Sequence, residues 1–227
     1  MPRGAQSRGQ CAYCGYSTTK GSMTRHLATC PQRQTRISSA AQTNRKPETL
    51  YHLRAQDAYV SDFWLDLEVR GSATLKDIDS YLRAIWLECC GHLSQFSVGG
   101  WSGQEIAKSR RVDAVFGHGG ELTHIYDFGT SSETKLKPIG QRVGAPLTAR
   151  PIVLMARNIM PEATCIECGH PAGFLCMECQ IEHELSGMLC PAHAQKHPHH
   201  DYGEPIALVN SPRLGMCGYD GPAEPPY

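Results

Sequence analysis

Twelve Cys and His residues, grouped at the two ends of the chain, limit what it can fold into more than any other feature. The front group reads Cys11-x2-Cys14-x11-His26-x3-Cys30. The back group reads Cys165-x2-Cys168-x7-Cys176-x2-Cys179-x10-Cys190-x2-His193-x3-His197-x-His199. Thiolates interleaved with imidazoles at these spacings suit a tetrahedral d10 ion with no redox chemistry of its own, so the reading is zinc. A disulfide framework would lack the interleaved His and would normally follow an export signal. The opening MPRGAQSRGQ is polar, with no apolar core of a secretory signal. No apolar run approaches the roughly 20 residues that cross a bilayer. The expectation is a cytoplasmic chain with no membrane partner.

In the front group, CAYCG makes a knuckle in which Gly15 lets the turn close. SMTRHLATC reads as a short helix that puts His26 and Cys30 on one face, backed by Met23 and Leu27. The segment resembles the two-Cys, two-His finger with its last His replaced by Cys. It departs from that pattern in a Cys-to-His spacing one residue short. Thr18 also stands where the core aromatic usually sits, with Tyr13 and Tyr16 as substitutes. Lys20 and Arg25 flank the helix and Arg33 and Arg36 follow it, cations suited to nucleic-acid phosphates. Residues 1–31 are read as this module and the polar residues 32–49 as a flexible basic linker.

The back group has two readings: two zinc ions, or one four-Cys ribbon (Cys165, Cys168, Cys176, Cys179) with a solvated His-rich tail. The two-zinc reading is adopted, giving three ions per chain, with two as the alternative. The segment resembles MYND-like and B-box-like modules, and that resemblance implies interleaved sets. One would be Cys165, Cys168, Cys190 and His193. The other would be Cys176, Cys179, His197 and either His199 or His200, with His170, His183 and Cys217 as further candidates. No ligand is missing from these sets, so nothing calls for an open catalytic position. Residues 161–218 are read as this module and 219–227 as a tail.

The zero net charge is a sum of opposites. Residues 1–49 carry eight bases and one acid, a net of +7, whereas residues 161–227 carry two bases and nine acids, a net of −7. The basic end suits phosphate and the acidic end repels it. Glu162, Glu167, Glu178, Glu182 and Glu184 point the back module toward an unidentified protein partner.

Between them, residues 50–160 read as a small α+β domain. Phe63, Leu65, Leu67 and Val69 alternate with acids, the period of a half-buried strand, and Trp64 falls on the outer face. Thr74, with Asp77 three residues on, caps a helix that Gly91 stops, with Cys89 in its core face and Cys90 at its end. Further strands are read at 51–54, 92–98, 122–128, 133–138 and 151–157. The blocks FWLDLEVRGSATLKDIDSYLRAIW, GHLSQFSVGG and IYDFGTSSETKLKPIG resemble the plasmid pRiA4b ORF-3-like family, often labelled as passengers of mobile elements. The ending NSPRLGMCGYDGP resembles its zinc-bearing members. The resemblance implies a compact mixed-sheet domain with one main helix, somewhat β-grasp-like, here flanked by two small zinc-stabilised modules. In the third block Thr130, Ser132 and Thr134 replace the Asp, Trp and His of the commoner form, so no chemistry is carried over from those side chains. No P-loop, Rossmann, GxSxG or HExxH signature is present. No residue is assigned a catalytic role, and the expected function is a non-enzymatic adaptor. The alternatives are a protein-interaction module alone, or a hydrolase using His92 or His124 with Ser97 or Ser102.

Overall fold

The computed structural model describes residues 7–87 and 91–221. They divide into two compact units: residues up to Arg83 with His92–Ile159, and Ala84–Gly91 with the residues from Met160 onward. Cys89 and Cys90 lie outside the described residues.

The first unit begins with β1 (Arg8–Cys11), β2 (Ser17–Thr19), α1 (Lys20–Thr29) and α2 (Pro31–Ala41). It continues through β3 (Glu48–Asp57), β4 (Trp64–Arg70), α3 (Leu75–Leu82), β5 (Ser94–Val98) and β6 (Gln104–Ile106). α4 (Val112–Phe116), β7 (Leu122–Tyr126), β8 (Ser132–Gly144) and β9 (Ile152–Asn158) complete it. The nine strands form one sheet in the order β2-β1-β9-β4-β3-β8-β7-β5-β6. The fold is α+β. Among the described residues every strand pairing in the sheet is antiparallel.

The alternation along β3 and β4 sorts side chains onto two faces. Leu53 pairs with Leu67 and Ala55 with Leu65 on one face, under α3, whose Asp79 reaches His124 of β7. The capping box is present as expected: Thr74 N–H donates to Asp77 Oδ2 at 2.7 Å and Asp77 N–H to Thr74 Oγ1 at 3.4 Å.

The opposite face carries His52, Arg54, Asp66 and Glu68, and here the half-buried strand is corrected. Asp66 and Glu68 are buried, not solvated. Arg54 donates twice to Asp66, both at 2.9 Å, and Arg33 and Arg142 both donate to Glu68. Buried carboxylates survive only when paired and hydrogen-bonded in this way.

What buries that face is the N-terminal segment, which is neither a free module nor a linker. β1 pairs with β9 in register Cys11↔Ala156, which makes the front knuckle part of the sheet. Residues 32–41, expected as part of a flexible linker, lie in α2. Pro31 sits in its first turn, where a missing N–H costs nothing, and Arg33 and Ala40 hold it down.

In the second unit, β10 (Phe174–Leu175), β11 (Met188–Leu189) and β12 (Ile206–Ala207) form a three-stranded sheet in the order β11-β10-β12. Two short helices, α5 (Met177–Ile181) and α6 (Pro191–Ala194), complete it. Its C-terminal segment holds Ala84 and Trp86: Ser211 Oγ donates to the Trp86 carbonyl at 2.5 Å and the Tyr219 hydroxyl to that of Ala84 at 3.1 Å. Tyr219 is therefore an anchor, not the start of a tail.

Candidate metal centres

Around the back Cys/His residues, one buried cluster of the second unit consists of Cys165, Cys176, Cys179, Cys190, Leu189 and Ala194. Four of these six residues are thiols. Such a core gains little from burial alone and calls for cross-bracing.

The structure brings the twelve candidate ligands together as three groups of four: Cys11, Cys14, His26 and Cys30; Cys165, Cys168, Cys190 and His193; Cys176, Cys179, His197 and His199. The second and third groups interleave along the chain. His199, not His200, completes the third; His200 is exposed and pairs with Glu204 at 3.2 Å. His170 lies 3.3 Å from Cys168 Sγ but outside the four. His183 stacks on His199 at 4.8 Å and, with Glu178 and His199, forms a further, more exposed group. Cys217 is exposed, with Arg213 Nη2 3.5 Å from its sulfur.

The separations test whether an ion fits. Around a tetrahedral zinc, bond lengths of about 2.3 Å to sulfur and about 2.0 Å to nitrogen put two sulfurs about 3.8 Å apart and a sulfur and a nitrogen about 3.5 Å apart. In the first group Cys11 and Cys30 Sγ are 3.9 Å apart, and Cys14 Sγ is 3.3 Å from His26 Nε2. In the second, Cys168 and Cys190 Sγ are 3.8 Å apart, and His193 Nδ1 is 3.4 and 3.3 Å from Cys165 and Cys190. In the third, Cys179 Sγ is 3.2 Å from both His197 Nε2 and His199 Nδ1, which are 3.2 Å from each other. These are the edges of ligand tetrahedra, and the donor set of each group suits a metal ion.

Two of the three groups start on the same turn. Gly15 N–H donates to the Cys11 carbonyl and Gly169 N–H to that of Cys165, both at 2.9 Å. Both glycines have positive φ, +74° and +72°, which L side chains adopt at a cost. The third group starts differently. Cys176 caps α5, and its sulfur accepts the Cys179 N–H at 3.4 Å.

Burial pushes the Cys11 and Cys179 thiols up to about 11. Burial also opposes charge on Cys165, but the backbone N–H groups of Cys190, Glu167 and Cys168 outweigh it and bring that thiol down to about 6. An ion entering the first and third groups therefore displaces protons.

The first group also depends on the sheet. Cys11, Cys30, Met23 and Leu27 pack with Trp64, Met155 and Ala156 in one buried cluster. Trp64 of β4 thus supplies the core aromatic that sequence spacing sought in Tyr13 or Tyr16. Tyr16 is exposed and stacks on His26 at 4.7 Å. No sequence signal marks Trp64 for this role except its place on the face opposite the leucines.

The four candidate phosphate contacts divide. Lys20 Nζ is held by Gln56 Oε1 and the Ser61 carbonyl, at 2.9 and 2.8 Å, and Arg33 is committed to Glu68. Arg25 is exposed, as is Arg36, whose guanidinium lies over the Tyr13 ring at 5.6 Å.

No family model matches the chain, and no curated protein does. Among solved structures, the chain is similar to a protein of unknown function from Methanosarcina mazei Go1, with 18% identity and a TM-score of 0.41. That match covers 48% of this chain and 69% of the other. A likeness of that degree carries nothing about function.

Proposed function

We propose that this chain is a non-enzymatic zinc-containing adaptor of the cytoplasm, with three structural zinc ions. Its first unit contacts nucleic acid and its acidic second unit docks a protein. The observation that carries the reading is the set of three four-ligand Cys/His groups, each complete without a water or substrate position. On the proposal residues 50–160 belong with the pRiA4b ORF-3-like proteins, and the link to mobile elements comes from that resemblance alone. Two of the side chains a hydrolase would use, His124 and Ser97, are engaged elsewhere. Buried His124 holds Asp79 at 2.7 Å, and Ser97 Oγ donates to the Gly100 carbonyl at 2.7 Å.

The nucleic-acid arm rests on Arg25 and Arg36, now that Lys20 and Arg33 have internal partners. Deleting the N-terminal segment would remove two strands of the sheet, so point variants are the proper test. Binding of a labelled duplex is measured by anisotropy across a salt series. Two phosphate contacts give a log–log slope of roughly −1.8, and Arg25→Gln with Arg36→Gln abolishes it. If wild type does not bind at low salt, the second reading holds: the α1–α2 face docks protein, as Tyr13 under Arg36 and the exposed Tyr16 would also permit.

A further inference from the structure

At one end of the first unit, three loops bring aromatic side chains to the surface around one carboxylate. Trp101 sits at the tip of the β5–β6 hairpin and is 47% exposed; Phe128, in the turn after β7, is 44% exposed. The two rings meet edge to face at 5.2 Å and 69°. Tyr59, in the turn after β3, is 74% exposed, and its hydroxyl donates to Glu133 Oε1 at 2.5 Å. The other carboxylate oxygen of Glu133 faces Gly100, beside Trp101; a Cβ on that glycine would lie 3.8 Å from it.

The backbone is arranged to hold these rings outward. Gly99 and Gly100 have φ of +91° and +77°, and a Cβ on Gly103 would lie 1.7 Å from the Val98 carbonyl. The hairpin is therefore closed by glycines around a single large side chain. Asp127, at φ +65°, accepts the N–H groups of Gly129 and Thr130 and fixes the turn bearing Phe128. These turns present an exposed aromatic pair beside the Tyr59–Glu133 hydrogen bond.

The charge is complementary to a cation. Glu133 and Asp57 are the charges that bear on Tyr59. Among the described residues, no Lys, Arg or His forms an ion pair with Glu133. Aromatic faces attract cations through their quadrupole, and arginine stacks on them while its fork bonds a carboxylate. From these contacts we infer that the Trp101–Phe128–Tyr59 corner receives an arginine side chain of a partner protein, stacked on the rings and paired with Glu133.

The test uses the full chain and a capped Gly-Arg-Gly peptide, with the citrulline peptide as its neutral counterpart. The chain has three tryptophans, and Trp64 and Trp86 are fully buried, so three indole N–H signals report separately. The expected result is movement of the Trp101 signal alone with the arginine peptide and none with citrulline. Glu133→Gln should weaken binding by up to about fivefold, the scale of one exposed ion pair. Unchanged Trp64 and Trp86 signals certify that this variant is folded. No shift at millimolar arginine peptide, or an equal shift with citrulline, would overturn the inference.

Discussion

Arg33 Nη2 lies 3.0 Å from Glu68 Oε2, and this ion pair joins the helix after the first Cys/His group to the middle of the sheet. Glu68 also receives Arg142 through Nε and Nη2, at 2.9 and 2.6 Å. Glu68→Ala leaves two guanidinium groups half-buried beside a void. Removing one partner of a buried pair costs about 3–5 kcal/mol. The urea midpoint should fall accordingly with its slope unchanged, and Glu68→Gln should lose less. A midpoint within error of wild type would show that the α2 contact is superficial.

On the proposed three-zinc reading, Trp64 ties metal retention to the sheet. Trp64→Ala opens a cavity beneath Cys11 and Cys30 and should cost about 3–5 kcal/mol. It should also speed release of one metal ion to a chelator and leave the other two unaffected. Equal release of all three would place Trp64 outside the first group's support.

The pH dependence of the first unit follows from Asp79 and His124. Burial opposes charge on Asp79, but hydrogen bonds from His124 and Ser94 and the charge of Arg83 outweigh it, so its carboxyl sits well below the usual range. Burial pushes His124 below its ordinary value against the pull of Asp79. Both groups hold fewer protons folded than unfolded, so both stabilise the fold at high pH and lose that contribution on acidification. The His124 loss begins as pH falls below about 6.5 and the Asp79 loss below about 3.9. Urea midpoints of wild type should therefore fall between pH 7 and 5 more steeply than those of His124→Gln. Parallel curves would mean that His124 titrates alike in both states.

The interleaving of the second unit can be counted. Cys165→Ser with Cys190→Ser removes two ligands of one group and should lose one ion. Cys165→Ser with Cys176→Ser disables both groups and should lose two. A sequential ribbon, with Cys165, Cys168, Cys176 and Cys179 on one ion, predicts that the second pair loses only one.

The ligand groups were legible because metal geometry is local: a knuckle, a helical i,i+4 pair and fixed spacings. α3 was legible for the same reason, through Thr74, Asp77 and its apolar stripe. Structure departs from local pattern where partners are distant in sequence. Asp66 and Glu68 look like a solvated face until Arg54, Arg33 and Arg142 arrive from other elements. α2 looks like linker because its anchors, Glu68 above all, lie outside it. The strand alternation located Trp64 on the outer face, but only the pairing of β1 with β9 shows what covers it.

The central claim is that three closed Cys/His groups each hold a zinc ion. Native mass spectrometry of the full chain tests it most directly, alongside Cys11→Ser. The account predicts three zinc ions per chain in wild type and two in the variant. A folded wild-type chain carrying no metal would contradict it.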